Sequence, residues 1–148
     1  MAQHSYDVAA TSKAPPEVVF AVLADAPGWA RWARGVRRAT WEVEGDPAPG
    51  GIGAVRALGA GRRALSRERI VAFDPPHHLA YVIDSGPVPV RGYRADVRCT
   101  PEPGGGTRIT WTGSWTTRVP VVSTLLTRMV QGFATGAARE AERIAGIG

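Results

Sequence analysis

Three side chains in the middle of this chain have the chemistry to move a proton beside a bound molecule: Tyr81, Tyr93 and Glu68. Tyr81 stands in "LAYVID" and Tyr93 in "YRADVRCT". Alternate residues of an extended segment share a face, so Tyr81 groups with Leu79 and Ile83, and Tyr93 with Ala95, Val97 and Cys99. A phenol or carboxyl in an apolar wall becomes a general acid or base only when a matched partner lies within hydrogen-bond reach. Glu68 sits between Arg67 and Arg69. This dense charged patch reads as an outward ladder of ion pairs. An inward Glu68 is the alternative, since one residue of register slip sends every side chain to the opposite face. No complete acid–base set can be assembled from the three, which remain candidate catalytic residues without assigned roles.

The aromatic residues point instead to binding. Five tryptophans occur in 148 residues. Trp41, Trp111 and Trp115 fall on strand faces read as inward, where Tyr81 and Tyr93 add hydroxyl tips. Trp32 is expected at one end of the same wall, and Met129 and Phe133 on a helix facing it. A mostly apolar enclosure with a few convergent polar groups is the usual form of a small-molecule site. The competing reading is an aromatic core whose hydroxyls are satisfied by backbone groups.

Other chemistries find little support. His77 and His78 are adjacent in a segment that follows Asp74-Pro75-Pro76, so they point opposite ways, and no third ligand is spaced nearby; no metal is expected. Cys99 is the only cysteine and forms neither a disulfide framework nor a redox pair. Gly104 to Gly106 leads into a strand rather than a helix and reads as a hairpin turn, not a phosphate cradle. No cofactor is implied. The formal charge of +5 invites a nucleic-acid reading, but all of the 18 basic residues except Lys13 are arginines scattered along the chain. A solvated surface, with no nucleic-acid partner, is the expectation. The first residues lack the basic head and apolar core of a secretory signal, and no apolar run reaches the ~18 residues that suggest a bilayer span. A cytoplasmic protein without membrane insertion, monomer or homodimer, is expected.

The elements that must position these residues follow from periodicity. "HSYDVAATS" alternates as a strand, and Pro15 and Glu17 suit the first turn of a helix buried through Val19, Phe20 and Leu23. Asp25, Pro27 and Gly28 stop it, and a second short helix carries Trp29 and Trp32. From Val36 to Thr116 the pattern is strand-like and alternating, which favours an antiparallel sheet with one covered face. Between residues 119 and 145, Val122, Leu125, Leu126, Met129, Val130, Phe133, Ala137, Ala141 and Ile144 recur at helical spacing, so one long amphipathic helix provides that cover. Gly132 and Gly136 inside it suggest close approach to the sheet or room for a ligand.

In order and spacing, "APPEVVFAVLAD" with "WARW", "RERIVAFDPPHHLAYVI", "GYRADVRCTPEPGGGTRITWTGSW" and the final "AAREAERI" resemble the SRPBCC superfamily, also called START-like or birch-pollen-allergen-like. Within it the resemblance is to the polyketide cyclase/dehydrase and lipid-transport branch, over nearly the whole chain. It implies a single α+β domain over 1–148 with the helix-grip fold, a curved antiparallel sheet wrapped around a long C-terminal helix with two short helices at one end. It also implies a small hydrophobic or aromatic ligand, lipid or polyketide-like, between sheet and helix. Two alternatives accompany that reading. One is a polyketide cyclase/dehydratase, and the other a protein-interaction module like the chaperone-ATPase activators, which would have a filled interior and an exposed apolar patch.

Overall fold

The computed structural model describes residues 2–63 and 65–147. Seven strands, β1 (Ala2–Ser12), β2 (Arg38–Val43), β3 (Val55–Gly59), β4 (Ser66–Asp74), β5 (His78–Ser85), β6 (Arg91–Pro101) and β7 (Thr107–Thr117), form one antiparallel sheet. Their order is β1-β7-β6-β5-β4-β3-β2. Between β1 and β2 come α1 (Pro16–Ala24), a 3-10 turn (Ala26–Gly28) and the single turn α2 (Trp29–Trp32). The helix α3 (Val121–Ile144) packs chiefly against β1, and more lightly against α1, α2 and β7. This is the helix-grip architecture.

Strict alternation in β6 and β7 makes the covered face. Tyr93, Ala95, Val97 and Cys99 are buried, as are Ile109, Trp111, Gly113 and Trp115, while Arg94, Arg98 and Thr112 are exposed. Burial in apolar surroundings pushes the Cys99 thiol up to about 12, so it is an inert core residue. α1 begins at Pro16, whose missing N–H costs nothing in a first turn, and buries Val19, Phe20, Val22 and Leu23.

The long helix departs from its expected stripe. Val122, Leu126, Val130, Phe133, Ala137 and Ala141 are buried, but Leu125, Met129 and Ile144 are exposed, with Leu125 at 60%. Ala134 and Ala138 take part of the buried face instead, because small residues let the helix axis approach the sheet closely.

The two helix glycines differ. A Cβ on Gly136 would stand 2.9 Å from the Trp32 carbonyl oxygen and 3.2 Å from its ring, whereas one on Gly132 would meet nothing within 4 Å. Close approach, to α2 rather than to the sheet, thus accounts for Gly136 and not for Gly132. Gly132→Ala should stabilise the protein by ~0.5–1 kcal/mol through helix propensity. Gly136→Ala should destabilise it despite the same propensity gain, and paired urea melts check the sign of each.

Candidate functional site

The loops at one end of the sheet frame a pocket of about 380 Å³. Its walls are Val36 from the turn before β2, Leu58 at the end of β3, Val88 from the β5–β6 loop, and Met129 and Phe133 from α3; Arg34 and Arg63 stand at its rim. Antiparallel pairing explains why these segments meet. The end of β3, start of β4, end of β5, start of β6 and end of β7 all lie at one edge, as the pairs Leu58–Ser66, Arg67–Ser85 and Arg91–Thr116 show. α3 starts there too, so its third and fourth turns, with Met129 and Phe133, pass over the gap.

One acidic group lines this pocket, Glu68, whose side chain is 12% exposed. β4 places Arg67 and Arg69 on the opposite face, where they pair with Glu42 at 2.8 Å and Asp84 at 3.0 Å. The outward ladder therefore exists, but Glu68 is not in it. The register shift between Arg67 and Glu68 in the β4–β5 pairing accompanies this facing. Glu68 Oε1 instead accepts a hydrogen bond from Nε of Arg56, on the neighbouring strand β3, at 2.9 Å.

Arg56 is fully buried, with 0% exposure. Its guanidinium carbon lies 4.5 Å from the centroid of the Trp29 ring and 4.8 Å from that of Tyr81, so two aromatic faces hold the charge. Nη1 donates to the Leu23 carbonyl at 3.3 Å, and Nη2 has no partner among the described residues. Burial raises the Glu68 carboxyl above the ordinary carboxylate range, while the charge and hydrogen bond of Arg56 pull it back.

Further in, the hydroxyls of Tyr6 and Tyr93 share a hydrogen bond, and Trp111 Nε1 donates to the Tyr81 hydroxyl at 3.2 Å. Desolvation holds all three phenols above their usual value, so they are neutral donors and acceptors at neutral pH. Trp115, 1% exposed as a residue, has no partner for Nε1 among the described residues. Phe133 connects pocket and interior, since its ring packs edge-on to Trp29 with centroids 5.3 Å apart and lies 6.2 Å from Trp111.

The family described as polyketide cyclase / dehydrase and lipid transport matches residues 3–143. The chain belongs to that family. An uncharacterized protein of Mycobacterium tuberculosis is 32% identical over 98 residues, 66% of this chain and 56% of the relative, so little more than half of that protein's length is matched. Two solved structures share the fold at low identity. A START superfamily protein from Mycobacterium smegmatis superposes with a TM-score of 0.80 at 10% identity, covering 95% of this chain and 99% of the other. An aromatase/cyclase from Streptomyces sp. R1128 gives 0.78 at 21% identity, covering 96% and 95%.

In this polyketide cyclase/dehydrase and lipid transport family member, the expected site residues divide by location. Glu68, Met129 and Phe133 line the pocket. Tyr81, Tyr93, Trp111 and Trp115 are 4% exposed or less and lie in the interior cluster that Arg56 joins to Glu68. Trp32 packs on Trp29 at 4.8 Å between ring centroids and lines a separate depression of about 410 Å³ between α1 and α3. Trp41, half-buried near the far end of β2, lies against the backbone of Gly50, where a Cβ would come within 2.8 Å of its ring. His78 Nε2 and Asp96 lie 2.7 Å apart on the sheet's outer side, and among the described residues no group of three His, Cys, Asp or Glu side chains could hold a metal ion.

Sequence reasoning missed Arg56 and Tyr6. Both were within reach of the alternation rule: Arg56 shares its strand face with Ala54 and Leu58, and Tyr6 with Val8, all buried. A lone arginine on an otherwise apolar face is the signal, because such a charge is rarely buried without a partner.

Proposed function

We propose that this protein binds a small hydrophobic or aromatic molecule, lipid or polyketide-like, in the pocket between the β3–β5 end of the sheet and α3. The observation that carries the reading is the pocket itself: about 380 Å³, with apolar walls and Glu68 as its acidic group. Covering ~200 Å² of apolar ligand surface would contribute about 5 kcal/mol at ~25 cal/mol per Å². The Glu68 carboxyl selects for a ligand with a hydrogen-bond donor, or with an acceptor while the carboxyl is protonated.

Val88 is half-buried in a loop at the mouth and packs on the margin of the core, so Val88→Trp fills the pocket, and circular dichroism verifies that the variant is folded. Titration with the neutral fluorophore N-phenyl-1-naphthylamine is expected to show saturable uptake by the wild type. Val88→Trp should weaken it about tenfold or more, the equivalent of ~1.4 kcal/mol. Equal uptake by both proteins would contradict the assignment.

A second reading, polyketide cyclase or dehydratase, is favoured by one observation. A carboxyl of raised pKa lines the pocket next to a buried arginine. A general acid or base is most effective when its pKa approaches the working pH, and Glu68 could move a proton at an enolisable carbon or a leaving hydroxyl. Turnover of a poly-β-ketone surrogate that disappears in Glu68→Gln, with probe binding retained, is the result this reading requires.

A further inference from the structure

Arginines that are scattered in the sequence gather at the end of the sheet where the pocket opens. Arg34, Arg37 and Arg38 occupy the turn into β2, Arg62 and Arg63 the β3–β4 hairpin, Arg91 the start of β6, and Arg118 the turn into α3. All seven are exposed, and none makes an ion pair among the described residues. The segments that carry them contain no acidic residue: 33–41, 57–67, 85–95 and the whole stretch from Gly113 to Arg139 are free of Asp and Glu. The carboxylates that follow on the adjoining strands, Glu42, Glu68 and Asp84, are already paired with Arg67, Arg56 and Arg69. The net charge of +5 is thus concentrated at one end of the molecule.

The same end exposes apolar side chains. Val121, Leu125 and Met129 follow each other at four-residue spacing on the outer face of α3, at 60%, 60% and 42% exposure, and Val119 precedes them at 40%. Met129 is also a pocket wall, so the stripe runs from the sheet end to the mouth. The other exposed large apolar residues have a different setting. Val43 lies between Glu42 and Glu44, Ile52 is bridged to Asp46, Ile144 lines a depression with Glu17, Asp25 and Glu140, and Ile147, beyond the end of α3, donates its backbone N–H to the Glu142 carbonyl. Among the described residues, only this end carries an apolar stripe bordered by unpaired cations alone.

We infer that this end of the molecule docks on the surface of an anionic lipid bilayer, with the α3 stripe entering the headgroup layer and the arginines meeting lipid phosphates. Basic residues near such a surface each add attraction, and apolar side chains at the interface add burial. A nucleic acid would use the cations but leave Val121, Leu125 and Met129 in water, and an acidic protein would need no pocket at the centre of the contact. Vesicle binding does not depend on the ligand reading, since it is measured without any ligand.

The test is co-sedimentation of the full chain with vesicles of phosphatidylcholine alone and of an equal mixture with phosphatidylglycerol. Binding to the mixed vesicles only, weakened by added salt, is expected. Arg62→Ser with Arg63→Ser should lower it about tenfold or more, as should Leu125→Glu with Met129→Glu, while Arg108→Ser at the opposite end of the sheet leaves it unchanged. All changed positions are exposed, and circular dichroism verifies that each variant is folded. Absence of binding to the mixed vesicles overturns the inference, as does an equal loss in Arg108→Ser. Retention on duplex DNA or on an acidic protein, with vesicles unbound, also overturns it.

Discussion

Arg56→Met is expected to lower the melting temperature by roughly 10 °C, and Arg56→Met combined with Glu68→Leu to recover most of that loss. Removing one member of a buried ion pair leaves an uncompensated charge and costs ~3–5 kcal/mol, whereas replacing both by apolar residues is often near neutral. For a chain of this length each kcal/mol corresponds to ~2–4 °C. The geometry makes Arg56 the costlier partner to lose, because its guanidinium also fills the space between Trp29 and Tyr81 and donates to Leu23. Glu68→Gln should cost less, since an amide can still accept from Arg56 Nε.

The pair also has a pH signature. Burial raises the folded-state pKa of Glu68, so the folded protein holds this proton more tightly than the unfolded chain does. Its contribution to stability is therefore fully present below the ordinary carboxylate range and is lost as pH rises through the raised folded value. Without Arg56 the carboxyl is raised further. The deficit of Arg56→Met should accordingly be smaller in mildly acid than in mildly alkaline buffer, and thermal melts across that range decide it.

Gly113→Ala is the second large effect, with an expected loss of about 2–3 kcal/mol from overpacking. A Cβ at this position would lie 2.5 Å from Cζ and 2.7 Å from the hydroxyl oxygen of Tyr6, which sits directly across the β1–β7 ladder. Tyr6 has little freedom to retreat, because its hydroxyl is bonded to Tyr93 and its ring packs 5.4 Å from that of Trp115. Tyr6→Ala loses the buried ring but also removes the obstacle. In that background Gly113→Ala should be nearly neutral, and a double-mutant cycle by urea denaturation measures the coupling. Two additive losses would show that the contact is not the cause.

Much of this fold was legible from periodicity. The alternation of β6 and β7 and the helical spacing after residue 119 name the covered faces correctly, because those elements each have one wet and one dry side. Leu125 and Met129 escaped the rule since their exposure depends on where β1 lies under α3, a long-range fact with no local signature. Glu68 was misfaced for a related reason. Equally charged neighbours on both sides carry no alternation, so the residue's direction depends on a register shift and on Arg56 across the strand pair. The clustering of arginines at the end of the sheet where the pocket opens was invisible because strand ends far apart in sequence become neighbours only through the antiparallel topology.

The central claim is that the pocket beside Glu68 holds an apolar ligand. Native mass spectrometry of the freshly purified chain, followed by extraction and identification of what it carries, tests this most directly. The account predicts one lipid or aromatic molecule per chain in the wild type and a bare chain in Val88→Trp. A wild-type protein that flies bare and also fails to take up apolar probes would contradict it.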